Sequence, residues 1–168
     1  MSYILGIDCG QEGAFALLER DGTILQCKKI PTIKVKSKGK VKVHYDTLGI
    51  ITYFHINSKF YPGTKVFIEE IHAAPGQGVT SMFSMGYGFG LIIGILSAMK
   101  LPHVRVAPQE WKGKLLKGMP REKMASVVVA SRLFPDCLPY LKLPKGGMDH
   151  NVADALLIAE WGRQSSLS

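Results

Sequence analysis

Apolar and polar residues follow two periods along the chain, one near two and one near three and a half. Tyr3–Asp8 is a short apolar run that closes on a carboxylate. Gly10-Gln11-Glu12-Gly13 is a turn, Ala14–Glu19 a second strand, and Asp21-Gly22 a hairpin turn into Thr23–Ile30. These three strands predict an antiparallel meander. From Ile33 to Val43, lysines at 34, 36, 38, 40 and 42 alternate with Ile33, Val35, Val41 and Val43 around Ser37-Lys38-Gly39. That alternation predicts a hairpin arm with its lysines on one face. Tyr45–Ser58 then reads as a helix and Lys65–Ile71 as a buried strand. Val79–Met99 is helical until Leu101-Pro102 breaks it, and His103–Ala107 is the next strand. Pro108–Lys112 starts a short turn or helix, and Arg121–Phe134 is an amphipathic helix. Leu138–Gly147, with two prolines and two glycines, reads as a linker, and His150–Gly162 as a last helix capped by Asp149.

A meander followed by strands alternating with helices predicts an α/β domain with a mixed sheet. At 168 residues the whole chain, 1–168, is expected to form a single domain. Ala73–Met99 lacks any charged residue or histidine and is long enough to span a bilayer. Its first half carries Pro75, Gln77, Thr80, Ser81 and Ser84, so the strongly apolar part runs from about Phe89 to Met99, the length of a buried core helix. No membrane span is expected. Gly86, Gly90 and Gly94 then mark close backbone approach, against the sheet or a partner helix.

Charge sharpens the picture. The formal net charge is +8 with a pI near 9.4, which makes nucleic acid the first partner to consider and an acidic membrane surface the second. Residues 28–42 hold seven lysines and no acid; Lys112, Lys114, Lys117, Arg121 and Lys123 surround Glu122; the remainder of the chain is −3. The basic character thus belongs to two patches. Cys9, Cys27 and Cys137 are odd in number and without CxxC spacing, which suits a reducing compartment and offers no zinc site. The amino terminus lacks the basic region of a signal peptide, so a cytoplasmic protein is expected.

Three places carry candidate chemistry. Asp8 ends an apolar strand, where a carboxylate must be hydrated, paired or metal-bound. Glu69-Glu70 ends another; alternation sends the two side chains to opposite faces, and Glu69 is favoured for the face shared with Asp8. Asp154 opens the apolar stretch Ala155–Ala159, with His150 and Asn151 one turn earlier and Asp149 at the cap. Three acids from separate elements meeting at one sheet edge can bind two Mg²⁺ ions, which prefer oxygen ligands and leave room for water and phosphate.

GIDCGQEGA, FIEE, GQGVTSMFSMGYGFGLIIGIL, VAPQEWK and DHNVADALLIAEWG occur in that order between about residue 3 and residue 162. Jointly they resemble the RuvC-type Holliday junction resolvases of the RNase H-like superfamily, in its phage and chloroplast branch. The resemblance implies a five-stranded mixed sheet flanked by helices and a homodimer acting on four-way DNA junctions. It implies no organic cofactor, Mg²⁺ with Mn²⁺ as a substitute, and a host-cell cytoplasmic site of action if phage-encoded. Asp8, Glu69 and Asp154 become the metal carboxylates, with His150 as the fourth ligand and Asp149 or Asn151 as alternatives. The residues expected on DNA are Lys34, Lys36, Lys38, Lys40, Lys42 and Gln77 together with Lys112, Lys114, Lys117, Arg121 and Lys123. Met82, Phe83 and Tyr87 are candidates for contact with unstacked bases, and Trp111 is expected as a core anchor. The rival readings are a nuclease of the same fold acting on flaps or RNA–DNA hybrids, and a junction-binding protein with a decayed site. GxDxGxxGA also opens an ATP-binding kinase and chaperone fold, which needs two such domains and a longer chain.

Overall fold

Strand alternation divides the apolar residues of this chain into two cores, one on each side of a sheet. A computed structural model describes residues 3–37, 39–73 and 76–166. The strands are β1 (Tyr3–Asp8), β2 (Ala14–Glu19), β3 (Ile24–Lys29), β4 (Thr32–Ser37), β5 (Lys40–Tyr45), β6 (Lys65–Glu69) and β7 (His103–Val106). The helices are α1 (Thr47–Phe60), α2 (Val79–Ala98), α3 (Pro108–Leu115), α4 (Met124–Leu133), α5 (Leu138–Leu141) and α6 (His150–Ser165). The main sheet runs β3-β2-β1-β6-β7, antiparallel from β3 to β1 and parallel from β1 to β7. This is the expected mixed five-stranded sheet.

On one side, Ile4, Ala16, Leu18 and Phe67 pack with Trp111, Val127 and the small residues of α6. Gly6 lets α6 lie directly on β1, since a Cβ there would stand 2.2 Å from the Ala155 carbonyl oxygen. Glu160 is buried in α6 but satisfied by Arg163 at 2.7 and 2.8 Å and Gln164 at 2.7 Å. On the other side, Leu5, Ile7, Phe15, Leu17 and Ile68 pack with Ile50, Phe54, Ile92 and Leu96 of α1 and α2. Each such side chain contributes about 1.5–3 kcal/mol by leaving water.

Three expectations change. Leu138–Gly147 is more than a linker: its first four residues form α5 after a 3-10 turn at Pro135–Cys137, because Cys137 and Leu141 are both drawn into the core. Gly86, Gly90 and Gly94 do not approach the sheet, as nothing lies within 4 Å of a Cβ built on any of them. The close approach is made by Gly88, where a Cβ would meet the Tyr45 hydroxyl at 2.0 Å and its ring at 2.3–2.8 Å. Helix α2 is long and apolar enough to cross a membrane by length and composition. It buries Gly88, Ile92, Ile95 and Leu96 against the second core and leaves Val79, Phe83 and Tyr87 exposed, so it is a core helix along one side rather than all round.

The third change concerns the arm. Strands β4 and β5 form their own two-stranded sheet, paired Lys34 to Val43, Val35 to Lys42 and Lys36 to Val41. Directly opposed residues share a face. A two-residue connection from Ser37 to Lys40 therefore moves the lysines of β5 to the face opposite those of β4, and the one-faced distribution does not form. Lys38 lies outside the described residues.

Candidate active site

The parallel register pairs Ile7 with Ile68, so Asp8 and Glu69 occupy the next positions at the carboxyl ends of adjacent strands. Two residues earlier stand Gly6, beneath α6, and Phe67, in the α6-side core. With a period of two, both acids belong to that side. Asp154 arrives from α6, immediately before the Ala155 whose carbonyl meets Gly6.

The three carboxylates act on one another. The Asp8 carboxyl is pushed up to about 7, first by burial, then by the negative charges of Glu69 and Asp154; the Gly10 amide and Lys29 oppose the shift. The Asp154 carboxyl is pushed up to about 6, again mainly by burial, with Glu69 adding to it and Ser126, Lys112 and His150 opposing. Asp154 Oδ1 is buried without a hydrogen-bond partner. Glu69 is held: Trp111 Nε1 donates to its Oε1 at 3.0 Å, and Lys112 Nζ stands 3.4 Å from the same oxygen.

Trp111 is wholly buried, the expected core anchor, but its hydrogen bond to Glu69 was not legible in sequence. Its proximity to Glu69 arises across 42 residues of chain. Glu70 leaves the site and sits 3.4 Å from His72. Asp149 is committed elsewhere: Oδ1 accepts from the amides of Asn151 and Val152 at 3.0 and 3.3 Å, and Oδ2 lies 3.0 Å from Lys29. Lys29, unremarked in the sequence, is thereby a structural cation; it also donates to the Glu12 carbonyl.

Asp8, Asp154, His150, Asn151 and Ser126 line a cleft of about 900 Å³, and Lys112, Lys117, Arg121 and Lys123 line it too. The second basic patch thus borders the acids, with Lys114 exposed nearby on α3. Lys34, Lys36, Lys40 and Lys42 stand apart on the β4–β5 ribbon. Gln77 is exposed before α2, its amide nitrogen 3.9 Å from Met85 Sδ.

A divalent cation fits this chemistry. An unpartnered buried carboxylate oxygen and two carboxyls raised first by burial and further by neighbouring negative charge are what a hard cation relieves. Among the described residues no three His, Cys, Asp or Glu side chains are gathered closely enough to hold an ion as they stand.

No protein-family model matches the sequence. The chloroplastic Holliday junction resolvase MOC1 of Chlamydomonas reinhardtii is 32% identical over 95 residues, 56% of this chain. The chain spans 10% of the length of that curated relative. Thermus thermophilus RuvC in complex with a Holliday junction substrate superposes with a TM-score of 0.61 at 13% identity, covering 100% of this chain and 97% of RuvC. Another T. thermophilus RuvC structure gives 0.54 at 16% identity, over 98% and 96% of the two chains. The yeast mitochondrial Holliday junction resolvase Ydc2 gives 0.51 at 10% identity, over 97% and 78%. With its mixed sheet, its acids at the strand ends and these likenesses along its length, the chain has the fold of the RuvC-type Holliday junction resolvases.

Proposed function

We propose that the chain is a structure-selective endodeoxyribonuclease that resolves four-way DNA junctions by paired, symmetric nicks. One observation carries this reading: carboxylates from β1, β6 and α6 repel one another beside a cleft bordered by Lys112, Lys117, Arg121 and Lys123. Such a cleft attracts a phosphodiester while holding acids that need a cation. Two Mg²⁺ ions, held by Asp8, Glu69 and Asp154 with His150 as the fourth ligand, would supply charge neutralisation at the scissile phosphate and a more acidic water.

The remaining work falls to the protein's own groups. Lys117, Arg121 and Lys123 bind phosphates on either side of the scissile bond. Trp111 and Lys112 fix one oxygen of Glu69 and leave the other for the site. Asp8, pushed up to about 7, would give up its proton where a bound cation offset the neighbouring negative charge. The site carboxylates accept hydrogen bonds from the attacking water and aim it at phosphorus, in line with the departing 3′ oxygen. Water oxygen bonds to phosphorus as one of its protons passes to a site carboxylate, the bond to the 3′ oxygen breaks, and that oxygen takes up a proton from solvent water. The products carry 5′-phosphate and 3′-hydroxyl.

Paired nicks require two sites in fixed relation, hence an isologous dimer. The outward line of Gly86, Gly90 and Gly94 on α2, open to any approaching surface, supports α2 as the contact. Three unpaired cysteines suit the proposed cytoplasmic location. The test is a nicking assay on a synthetic four-way junction, linear duplex, flap and RNA–DNA hybrid, with and without Mg²⁺. Symmetric nicks confined to the junction and dependent on the cation are expected. Equal cutting of flap or hybrid would overturn junction selectivity, and junction binding without cutting in either Mg²⁺ or Mn²⁺ would favour a decayed site.

A further inference from the structure

We propose that the β4–β5 ribbon enters the major groove of a duplex arm edge-on, placing lysines of its two faces on the phosphates of the two strands. This rests on the reading above that the substrate is branched DNA. The register puts two lysines and two branched apolar residues on each face: Lys34 and Lys36 lie opposite Val43 and Val41 on one, while Lys42 lies opposite Val35, Lys40 opposite Ser37 and Ile33 opposite His44 on the other. These lysines and apolar residues are exposed, the four apolar ones by 40–56%.

A hairpin of two strands is marginally stable by itself, and this one has its root anchored. Tyr45 is buried against Gly88, and its hydroxyl donates to the Cys9 carbonyl at 3.2 Å; Gln11 Nε2 donates to the Val43 carbonyl at 3.1 Å. The ribbon therefore rises from the turn that follows Asp8 and presents two lysines on each face.

Dimensions select the groove. A sheet with side chains on both faces occupies about 10 Å. The major groove of B-DNA is about 12 Å wide and about 8.5 Å deep, whereas the minor groove, at about 6 Å, is too narrow. Docking flat on one backbone would engage one pair of lysines and leave the other pair idle. Edge-on entry engages both. The competing account is that edge-strand lysines merely discourage strand pairing between molecules, which predicts no role in affinity.

The test uses Lys34→Gln with Lys36→Gln, Lys40→Gln with Lys42→Gln, and all four together. Affinity for a four-way junction and for a linear B-form duplex is measured against salt. Each double variant should reduce the log–log salt slope by about 1.8 and the quadruple variant by about 3.6, at about 0.9 per phosphate contact. Methyl green, a major-groove ligand, should displace the ribbon-dependent part of binding, and netropsin, a minor-groove ligand, should not. Affinity for an RNA duplex of the same sequence, whose major groove is deep and narrow, should be insensitive to the quadruple change. A slope that falls for one pair and not the other overturns edge-on entry in favour of flat docking. Slopes unchanged in all three variants, or selective displacement by netropsin, overturn the proposal outright. Circular dichroism verifies that each variant is folded. If the wild type nicks junctions and the variants bind normally, this inference fails alone; if both slopes fall but the wild type nicks nothing, the nuclease reading fails and the groove contact stands.

Discussion

Asp8 and Cys9 are neighbours in sequence and belong to opposite sides of the sheet. Both are buried and both titrate upward for the same first cause, burial; the thiol of Cys9 is pushed far above its ordinary value, with Asp8 and Glu69 adding to the shift. Cys9 belongs to the core beneath α1 and α2 and donates to the Glu69 carbonyl at 3.5 Å. Asp8 opens onto a cleft shared with Asp154 and bordered by basic residues. Burial by itself makes a titratable group inert. Burial among like charges at the lip of a cleft makes one that calls for a cation. The two sides of the sheet divide accordingly into a charged edge beneath α6 and an apolar surface along α2.

The strongest way to break that division is to neutralise the charged side. Asp8→Asn, Glu69→Gln and Asp154→Asn should each lower cleavage by about a thousandfold, roughly 4 kcal/mol of barrier, while junction affinity in a gel-shift assay is unchanged or higher. An amide keeps the shape and loses the anionic oxygen that Mg²⁺ prefers. Any of the three retaining wild-type turnover would remove that residue from the site.

The pH dependence of stability sharpens the same contrast. The folded state holds the Asp8 and Asp154 protons more tightly than the unfolded chain, whose aspartates titrate near 3.8. Their contribution is therefore fully present below pH 3.8 and is lost as pH rises through about 6 for Asp154 and about 7 for Asp8. At about 1.4 kcal/mol per pKa unit, the Asp8 share is at most on the order of 4 kcal/mol. Urea denaturation of metal-free protein between pH 4 and 8 should show this decline, and Asp8→Asn should flatten it. Added Mg²⁺ should raise Tm more at pH 8 than at pH 5.

On the apolar side, Gly90→Leu has room in the isolated chain, since nothing lies within 4 Å of its Cβ. It should leave the circular dichroism spectrum unchanged and weaken the proposed dimer at least about tenfold, roughly 1.4 kcal/mol, in sedimentation equilibrium. An unaffected dimer would move the interface off this face. The smallest effect belongs to Glu70→Gln: with its carboxylate turned toward His72, cleavage should stay within about twofold of wild type, roughly 0.4 kcal/mol.

The α/β class, the meander, the order of strands and helices and the three acids were legible because each rests on a local signal: alternation, a turn dipeptide, a carboxylate closing an apolar run. The choice of Glu69 over Glu70 was legible for the same reason, since a period of two places neighbours on opposite faces. The fate of Asp149 was half legible. Its capping role follows from its position before a helix, but the ion pair with Lys29 joins residues 120 apart in sequence.

Sequence by itself determined which residues alternate, where carboxylates end strands, and that the basic charge falls in two patches. Tertiary structure decided how those patterns meet. A two-residue connection between Ser37 and Lys40 set the odd register that divides the ribbon's lysines between two faces. Packing brought the Trp111 indole to Glu69, and set Gly88, rather than Gly86, Gly90 or Gly94, against an aromatic ring. The physical reason is the same in each case. Alternation along one strand is a property of a few neighbouring dihedrals, whereas facing across strands, or from helix to sheet, depends on register and contact between segments that have no covalent memory of one another.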